Sequence, residues 1–168
     1  FNQGVAAALK KGALVIDMSS IKPREAREHA ARLEALGSRH LDAPVSGGET
    51  GAINAALTIM VGGKAEVFEK IKPLFDKMGK SVTLIGDSGA GQVAKACNQI
   101  LTGVGVLAVA EAFNFATKSG VDAGKVREAL LGGFAYSKIL ENHGQRMLDR
   151  NFKPGFKAWM QQKDLRIV

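Results

Sequence analysis

The stretch GDSGAGQVAKACNQ, residues 86–99, marks the point where an alternation of strands and helices gives way to helices alone. Its glycines precede a predicted helix whose second turn presents Lys95. Asn98 and Gln99 follow three and four residues later, a spacing that places them on the same helix face as the lysine. From these residues alone, Lys95 is either a functional ammonium group at the start of a helix or a solvated lysine behind a capped loop.

Two other interpretations of this loop fit poorly. Residues 86–89, GDSG, are similar to the loop around a protease serine, but none of the three histidines of the chain has a setting that identifies it as the base. A phosphate-binding loop needs a lysine directly after its last glycine and then Ser or Thr, whereas Gly91 is followed by Gln92 and Val93. We therefore expect a glycine-rich turn that leads into a helix.

The composition is that of a globular protein. The chain has 168 residues and is 46% hydrophobic, which is enough for one large domain or two small ones. Its formal net charge is +7, but the lysines and arginines are scattered along predicted helix faces without interleaved aromatic residues, so we expect no nucleic acid partner. Cys97 is the only cysteine, which excludes an internal disulfide and a cysteine-rich metal site and favours a cytoplasmic protein.

The two ends of the chain indicate a fragment of a longer protein. The chain begins at Phe1 without a methionine and stops within the helical pattern of residues 165–168. Residues 96–110 carry no charge, but this run is shorter than a membrane span and contains polar residues and glycines, including Gly103 and Gly105. We expect no membrane partner but a helix packed between other helices, with another backbone close to the two glycines.

Hydrophobic patterning before residue 89 predicts an α/β fold. The short apolar run at residues 13–17 is typical of a strand in a parallel sheet, and Pro23 begins an amphipathic helix that Gly37 ends. The other elements predicted here are the end of a helix at residues 5–11, strands at 40–43, 57–61 and 82–85, and a helix at 66–78.

After residue 89 no strand pattern appears. The predicted helices cover residues 91–119, 123–131 and 137–148, and a last one begins near Phe156. The sequence therefore predicts a sheet domain over residues 1–88 and a helical domain over residues 89–168, joined by the first and longest of these helices. Ligand sites are common at such junctions.

Three loops follow the ends of predicted strands, where open α/β sheets bind their ligands. Residues 17–20 bring two serine hydroxyls, which could cap the next helix or contact a cofactor. Residues 42–48 bring Ser46 followed by two glycines, a pattern that lets backbone amides approach a carboxylate or simply forms a turn. The third loop is the one that leads to Lys95.

Near the end of the chain, residues 154–157 and 162–165 place an aromatic ring, lysines and a carboxylate around the start of a helix. Alone, these residues identify no chemistry. No cluster of histidine, cysteine and carboxylate side chains has metal-ligand spacing, and no pair of carboxylates has the pattern of a glycosidase. We therefore expect metal-free chemistry.

Taken in order, several motifs resemble the β-hydroxyacid dehydrogenase family over the whole chain. The motifs are DMSSIKP at 17–23, DAPVSGGETGA at 42–52, IMVGG at 59–63, the opening stretch at 86–99, and QKDL at 162–165. The fold that this resemblance implies is the C-terminal half of a Rossmann-type sheet domain, residues 1–88, without its N-terminal glycine-rich unit. A long connecting helix and an all-helical substrate and dimerisation domain, residues 89–168 and truncated at its C-terminus, would follow.

The resemblance implies NAD(P)-dependent interconversion of a 3-hydroxyacid and a semialdehyde, with Lys95 as the catalytic acid and base. The residues that it implies for the substrate are Ser46, Gly47, Gly48, Asn98 and Gln99. The residues that it implies for the cofactor, NAD or NADP, are Ser19, Ser20, Phe156, Lys163 and Asp164. Many members have asparagine four residues after the lysine, where this chain has Gln99, so we retain both amides as candidates.

The resemblance also implies a small-molecule substrate and a homodimer or homotetramer. The Gly-x-Gly-x-x-Gly turn that holds the cofactor pyrophosphate would lie upstream of Phe1, together with the residue that chooses between NAD and NADP. The 168-residue chain is therefore not expected to catalyse by itself. A dehydrogenase-like domain that binds a ligand without turnover is the alternative class of function, and the lysine, serine and glycines in their matching places favour an enzyme.

Overall fold

The computed structural model describes residues 4–168 as two compact units. The first contains the chain up to Asn98 together with Ala158–Val168, and the second contains Gln99–Lys157. The strands are β1 Leu14–Asp17, β2 Arg39–Asp42, β3 Val45–Ser46, β4 Leu57–Gly62 and β5 Gly79–Gly86. The helices are α1 Val5–Ala8, α2 Pro23–Ala35, α3 Gly48–Ile53, α4 Ala65–Phe75, α5 Ala90–Lys118, α6 Ala123–Leu131, α7 Lys138–Leu148 and α8 Ala158–Leu165.

The sheet of the first unit is mixed, and its four longer strands end along one line. β1 and β2 are parallel, β4 and β5 are parallel, and β4 runs antiparallel to both β2 and β3. The β1–β2 pair and the β4–β5 pair therefore run in opposite directions, and their C-terminal ends meet. Their last residues pair in the row Asp17, Asp42, Gly62 and Gly86. The sequence predicted loops at three of these strand ends, and the sheet brings those loops to one place.

The core of the first unit lies between this sheet and the helices packed on it. Leu41, Ile59 and Val61 from the strands are fully buried, as is Phe75 at the end of α4. α2 begins with Pro23 in its first turn, where a missing N–H costs no helical hydrogen bond. These apolar side chains hold the strand ends in place beneath the candidate site.

Helix α5 begins directly against the strand ends. A Cβ atom at Gly91 would lie 2.4 Å from the Met60 carbonyl oxygen and 2.8 Å from the Asp42 carbonyl oxygen. Both neighbours are backbone atoms, which cannot move aside as a flexible side chain can. Glycine is therefore required here for close approach, because only a residue without Cβ lets the first turn of α5 reach the sheet.

The second unit has its own small core. Val109 and Phe113 of α5 pack with Leu140 of α7, and partly buried side chains of α6 complete the cluster. Asp122 caps α6 by accepting the Gly124 amide at 2.7 Å. The unit is thus an ordinary helical assembly that buries part of α5.

The structure confirms the α/β-plus-helical architecture and departs from some predicted boundaries. α1 ends at Ala8, although the pattern extended to residue 11. The helix predicted to reach Met78 ends at Phe75 because its last turn closes with tighter bonds, from the Lys77 and Met78 amides to the Leu74 and Phe75 carbonyls. The sequence pattern indicates a single loop at residues 42–48 and does not predict β3 or α3.

The expectations for helix α5 need correction. Gly105 faces the side chain of Ile139, with 2.7 Å between a Cβ placed there and Ile139 Cδ1, and not another backbone. α5 is also not enclosed on all sides, since Leu101, Leu107 and Phe115 are 66–75% exposed. Over the described residues, α5 is the one helix long and apolar enough to cross a bilayer. Core helices of soluble proteins can have the same length and hydropathy. These two properties alone therefore do not place α5 in a membrane.

The approach of α5 to the sheet can be tested with Gly91→Ala. The added methyl group would meet two backbone oxygens, so we expect the free energy of unfolding of the intact protein to fall by about 2–3 kcal/mol. Urea unfolding followed by circular dichroism measures this. Gly133→Ala is the matched control because its Cβ would lie 3.8 Å from the nearest atom, the Leu130 oxygen. Equal stability of the two variants would refute the close approach.

Candidate functional site

Asp42 anchors the start of α5 at the row of strand ends. Its side chain is fully buried. Oδ1 accepts the Gly89 amide at 2.7 Å, and Oδ2 accepts the Gln92 amide at 3.0 Å. A carboxylate at this position satisfies amides that have no partner within the helix and lies at the positive end of the helix dipole. The strand β2 thereby fixes the first turn of the helix that carries Lys95.

Gln92 continues this network to the loop after β1. Its side chain, 1% exposed, donates from Nε2 to the Ser19 carbonyl at 2.8 Å. Its Oε1 accepts the Ile21 amide at 3.1 Å. Ser19 in turn donates its amide to Asp17 Oδ1 at 2.9 Å. The loop that was expected to contact a cofactor is therefore tied to the start of α5 by two hydrogen bonds from one side chain.

Helix α8 brings a second group of candidate residues to the same loop. Lys163 Nζ donates to the Ser20 carbonyl at 2.8 Å, although the two residues are 143 positions apart in the chain. The same ammonium lies 2.6 Å from Asp164 Oδ1, and Asp164 is 3% exposed. The structure thus brings together Ser20, Lys163 and Asp164, three residues that the resemblance placed at the cofactor.

Lys95 lies one turn beyond Gln92 on α5 and is partly buried. Burial lowers the pKa of its ammonium group from the ordinary value. The carboxylate of Asp164 opposes this by raising the pKa, and the Lys163 ammonium adds to the lowering. A lysine whose pKa is lowered releases its proton more readily and exists as the neutral amine over a wider pH range, which suits a group that donates a proton in one direction and accepts it in the other.

The turn expected to hold a substrate carboxylate spans the end of β3 and the start of α3. Ser46 is partly buried in β3, and Gly47 and Gly48 are exposed. Both glycines have positive φ, +139° and +60°, a backbone conformation that other residues adopt only with strain. Gly47 is the N-cap of α3 and has no side chain to accept the first amides of the helix. These amides are therefore open to a ligand or to water.

The remaining candidates lie elsewhere on the chain. Asn98, partly buried, ends the α5 segment of the first unit, whereas Gln99, 5% exposed, opens the second unit. Phe156 also belongs to the second unit and is 49% exposed. Within residues 4–168 no group of three or more histidine, cysteine or carboxylate side chains is placed to hold a metal ion.

A cleft of about 490 Å³ opens beside the Ser20 loop, between the start of α2 and α8. Its lining combines a serine, cationic side chains and an indole ring: Ser20, Ile21, Lys22, Glu25, Trp159, Gln162, Lys163, Arg166 and Ile167. Cations suit a phosphate-bearing ligand, and an aromatic face suits a planar ring. The residues present therefore fit part of a nicotinamide dinucleotide.

Sequence reasoning assigned no role to several of these residues. Asp42 and Gln92 lie within the motifs at residues 42–52 and 86–99, where Gln92 only distinguishes the loop from a phosphate-binding one. The available signal is an acidic residue within the predicted strand at 40–43, where an unpaired carboxylate is costly and a helix start is a natural partner. No pattern in the sequence identified Trp159 or Arg166 as cleft residues.

Comparison with known proteins agrees with this geometry. Residues 1–86 match the profile of the NAD-binding domain of 6-phosphogluconate dehydrogenase. Residues 89–168 match the profile of the NAD-binding domain of NADP-dependent 3-hydroxyisobutyrate dehydrogenase. The chain belongs to the family of NAD(P)-dependent β-hydroxyacid dehydrogenases.

Individual relatives show how much of a whole protein the chain represents. It is 52% identical over 165 residues to the 2-hydroxy-3-oxopropionate reductase of Escherichia coli, covering 98% of the chain and 56% of that protein. It is 40% identical to a probable 3-hydroxyisobutyrate dehydrogenase-like protein of Arabidopsis thaliana, covering 98% of the chain and 49% of that protein.

Among solved structures, the 3-hydroxyisobutyrate dehydrogenase of Mycobacterium tuberculosis with L-serine matches with a TM-score of 0.87 at 35% identity. That match covers 97% of this chain and 58% of the other. The chain thus spans 49–58% of the length of these proteins.

The charge environment of Lys95 can be tested with Asp164→Asn in the intact protein. Removing the carboxylate removes the one effect that raises the Lys95 pKa, so we expect that pKa to fall further below its ordinary value. NMR titration of lysine side chains labelled with ¹³C at Cε measures it directly. Asp76→Asn, which removes an exposed carboxylate paired with Lys72, is the matched control. A Lys95 pKa that stays constant or rises in Asp164→Asn would contradict the assignment.

Proposed function

We propose that the intact protein reduces tartronate semialdehyde (2-hydroxy-3-oxopropanoate) to glycerate with NADH or NADPH, and catalyses the reverse oxidation with NAD or NADP. The observation that carries the proposal is Lys95, partly buried with its pKa lowered, on a helix start that is bonded to the strand ends and to the Ser19–Ile21 loop. An ammonium group held in this way acts as a proton donor to a carbonyl oxygen.

The substrate assignment is supported by the sequence shared with the E. coli reductase at 52% identity. Within the helical part, GGFAYSKILENHGQRM at residues 132–147 is similar to that reductase. Tartronate semialdehyde is a small carboxylate with an aldehyde at its other end. Ser46 and the amides of Gly47 and Gly48 offer a hydroxyl and N–H donors, the groups that bind a carboxylate.

The chain's own residues hold the reactants and move the proton. Ser46, Gly47 and Gly48 bind the substrate carboxylate, with Asn98 and Gln99 as amide donors along the same helix as Lys95. A bound nicotinamide supplies the hydride that reaches the aldehyde carbon. Lys95 donates a hydrogen bond to the aldehyde oxygen and then gives it a proton. In the reverse direction, the neutral amine of Lys95 takes the proton from the hydroxyl group.

The pH dependence follows from these protonation states. Reduction requires the Lys95 ammonium, so its rate falls as the pH rises through the pKa of Lys95. Oxidation requires the neutral amine, so its rate rises over the same range. Because burial lowers this pKa, the crossover lies below the range of an ordinary lysine.

For the cofactor, we propose that Ser19 and Ser20 contact the nicotinamide nucleotide, with Lys163, Asp164 and Phe156 closing over it. Support comes from the hydrogen bond between Lys163 and the Ser20 carbonyl, and from the cationic cleft beside that loop.

We propose residues 1–88 as the dinucleotide-binding part and residues 89–168 as the substrate and dimerisation part. The exposed apolar side chains of α5 support assembly into a homodimer or homotetramer, and the proposed location is the cytoplasm.

A second candidate is oxidation of 3-hydroxyisobutyrate or another 3-hydroxyacid. It is supported by the match to the M. tuberculosis 3-hydroxyisobutyrate dehydrogenase structure at 35% identity. Both candidate reactions use Lys95 as the acid or base. Their substrates differ in the substituent next to the carboxylate, which the site must accommodate. A non-catalytic binding domain is less well supported, because a partly buried lysine with a lowered pKa is more typical of a catalytic site.

The proton donor is tested with Lys95→Ala in the intact protein. We expect turnover of tartronate semialdehyde to fall by a factor of about 100 to 10,000, the usual effect of losing a general acid. Cofactor affinity should change little, since Lys95 is not assigned to the cofactor. Steady-state kinetics and fluorescence titration measure the two quantities.

The matched control is Lys118→Ala, an exposed lysine at the far end of the same helix. It should leave both quantities unchanged. Turnover within a few-fold of normal in Lys95→Ala would show that Lys95 is not the donor. Loss of cofactor binding together with turnover would show a structural role.

The carboxylate-binding turn is tested with Ser46→Ala. Losing one hydrogen bond to a charged group costs about 1.5–3 kcal/mol, so we expect kcat/KM for tartronate semialdehyde to fall by about 10- to 150-fold. The same assays with 3-hydroxyisobutyrate and succinic semialdehyde identify the preferred substrate. Ser81→Ala, at an exposed position of β5, is the control. An unchanged kcat/KM with every substrate would remove Ser46 from the site.

A further inference from the structure

We propose that Asp42 and Gln92 are positioning residues of the proposed reaction. The Asp42 carboxylate fixes the first turn of α5 and hence the direction of Lys95. The Gln92 side chain holds the backbone of Ser19 and Ile21 at a set distance from that turn. Neither residue touches the reacting atoms in this scheme. The inference rests on the proposed function, because it assigns Asp42 to the placement of the proton donor and the Gln92 side chain to the placement of the cofactor loop.

The first support is that the Asp42 carboxylate is closely surrounded by the turn that precedes Lys95 and by two glycines. Both of its oxygens accept amides from the turn before Lys95, those of Gly89 and Gln92. A Cβ atom at Gly62 would lie 2.6 Å and 2.8 Å from these oxygens, and one at Gly91 would lie 2.9 Å from Oδ2. The carboxylate thus fills a space that neighbouring glycines leave open, so it has little freedom to move.

The second support is that Gln92 makes hydrogen bonds in two directions. Its backbone amide is bonded to Asp42, while its side chain donates to Ser19 and accepts from Ile21. At 1% exposure, the Gln92 side chain is shielded from bulk solvent. A single residue therefore links the end of β2, the loop after β1 and the helix of Lys95.

The geometry explains why such a link bears on the rate. Gln92 and Lys95 are three residues apart and lie on neighbouring positions of one helix face. A shift of the first turn therefore moves Lys95 with it. A displacement of about 1 Å in a catalytic group can cost about a hundredfold in rate. Buried hydrogen bonds that hold the turn in register are the means to prevent such a shift.

The two residues should affect different kinetic constants. In Asp42→Asn, the side-chain NH₂ group replaces one acceptor oxygen and faces a backbone N–H, so one of the two amide bonds is lost. We expect kcat to fall about 10- to 100-fold, with the KM for the cofactor changed less than about threefold.

In Gln92→Met, which keeps the length of the side chain, both hydrogen bonds to the Ser19–Ile21 loop are lost. We expect the KM for the cofactor to rise about tenfold, with kcat within about threefold.

The experiment uses the full-length protein at varied concentrations of cofactor and substrate, and it compares Asp42→Asn, Gln92→Met and Lys95→Ala with the unmodified enzyme. Asp76→Asn is the control for the loss of an aspartate charge, because it lies on the exposed surface next to Lys72. It should leave kcat and both KM values unchanged. Thermal unfolding of each variant shows whether it is folded at the assay temperature.

The outcomes separate this inference from the proposed function. If Lys95→Ala retains turnover, the proposed function fails and the positioning role falls with it. If Lys95→Ala is inactive but the folded Asp42→Asn variant has a normal kcat, only the positioning role of Asp42 is overturned. A lower melting temperature of that variant would then show that Asp42 has a purely structural role. If Asp42→Asn does not fold, Gln92→Met decides. A raised cofactor KM with a near-normal kcat supports the link, and an unchanged cofactor KM overturns it.

Discussion

A buried carboxylate at the start of a helix is the constraint on which the rest of the first unit depends. Asp42 ends a strand in the interior of the protein, where an uncompensated charge would be costly. The amides of Gly89 and Gln92 compensate it, and this requires the helix to start at the strand ends. The same requirement explains why glycine occupies position 91, since any side chain there would separate the helix from the sheet. The location of Lys95 is thus a consequence of where a charge can be buried.

Much of the fold could be predicted because local chemistry determines it. α2 has proline in its first turn and ends before Gly37, whose φ is +72°, and α6 begins after Asp122, which caps it; both helices lie where the pattern placed them. β3 and α3 could not be predicted in this way. β3 exists only because Val45 and Ser46 pair with β4, a contact between segments that the pattern does not relate. The mixed direction of the sheet also depends on such pairing, and hydrophobic alternation carries no information about strand direction.

The candidate site, like the fold, could be predicted from the sequence only in part. Local patterns place the glycine-rich turns and put Lys95 at the start of a helix, since positive φ and helix spacing are local properties, but only the family resemblance gives these residues a role. It could not show that burial, opposed by Asp164, sets the pKa of Lys95, because the carboxylate lies on a helix at the other end of the chain. Nor could it assign Gln92, whose importance lies in its partners Ser19 and Ile21. Asn98 and Gln99 are adjacent in sequence but differ in burial, which the motif alone does not indicate.

The hydrogen bond from Lys163 to Ser20 has a consequence for the order in which the molecule assembles. It closes a loop of 143 residues, so its entropic cost is met only after the intervening segments have ordered. The sheet strands, by contrast, pair across much shorter separations. We therefore expect the α8 side of the cleft to form late in folding and to open first when stability is reduced. A mild destabilising change in α8 would then open this side of the cleft before it unfolds the sheet.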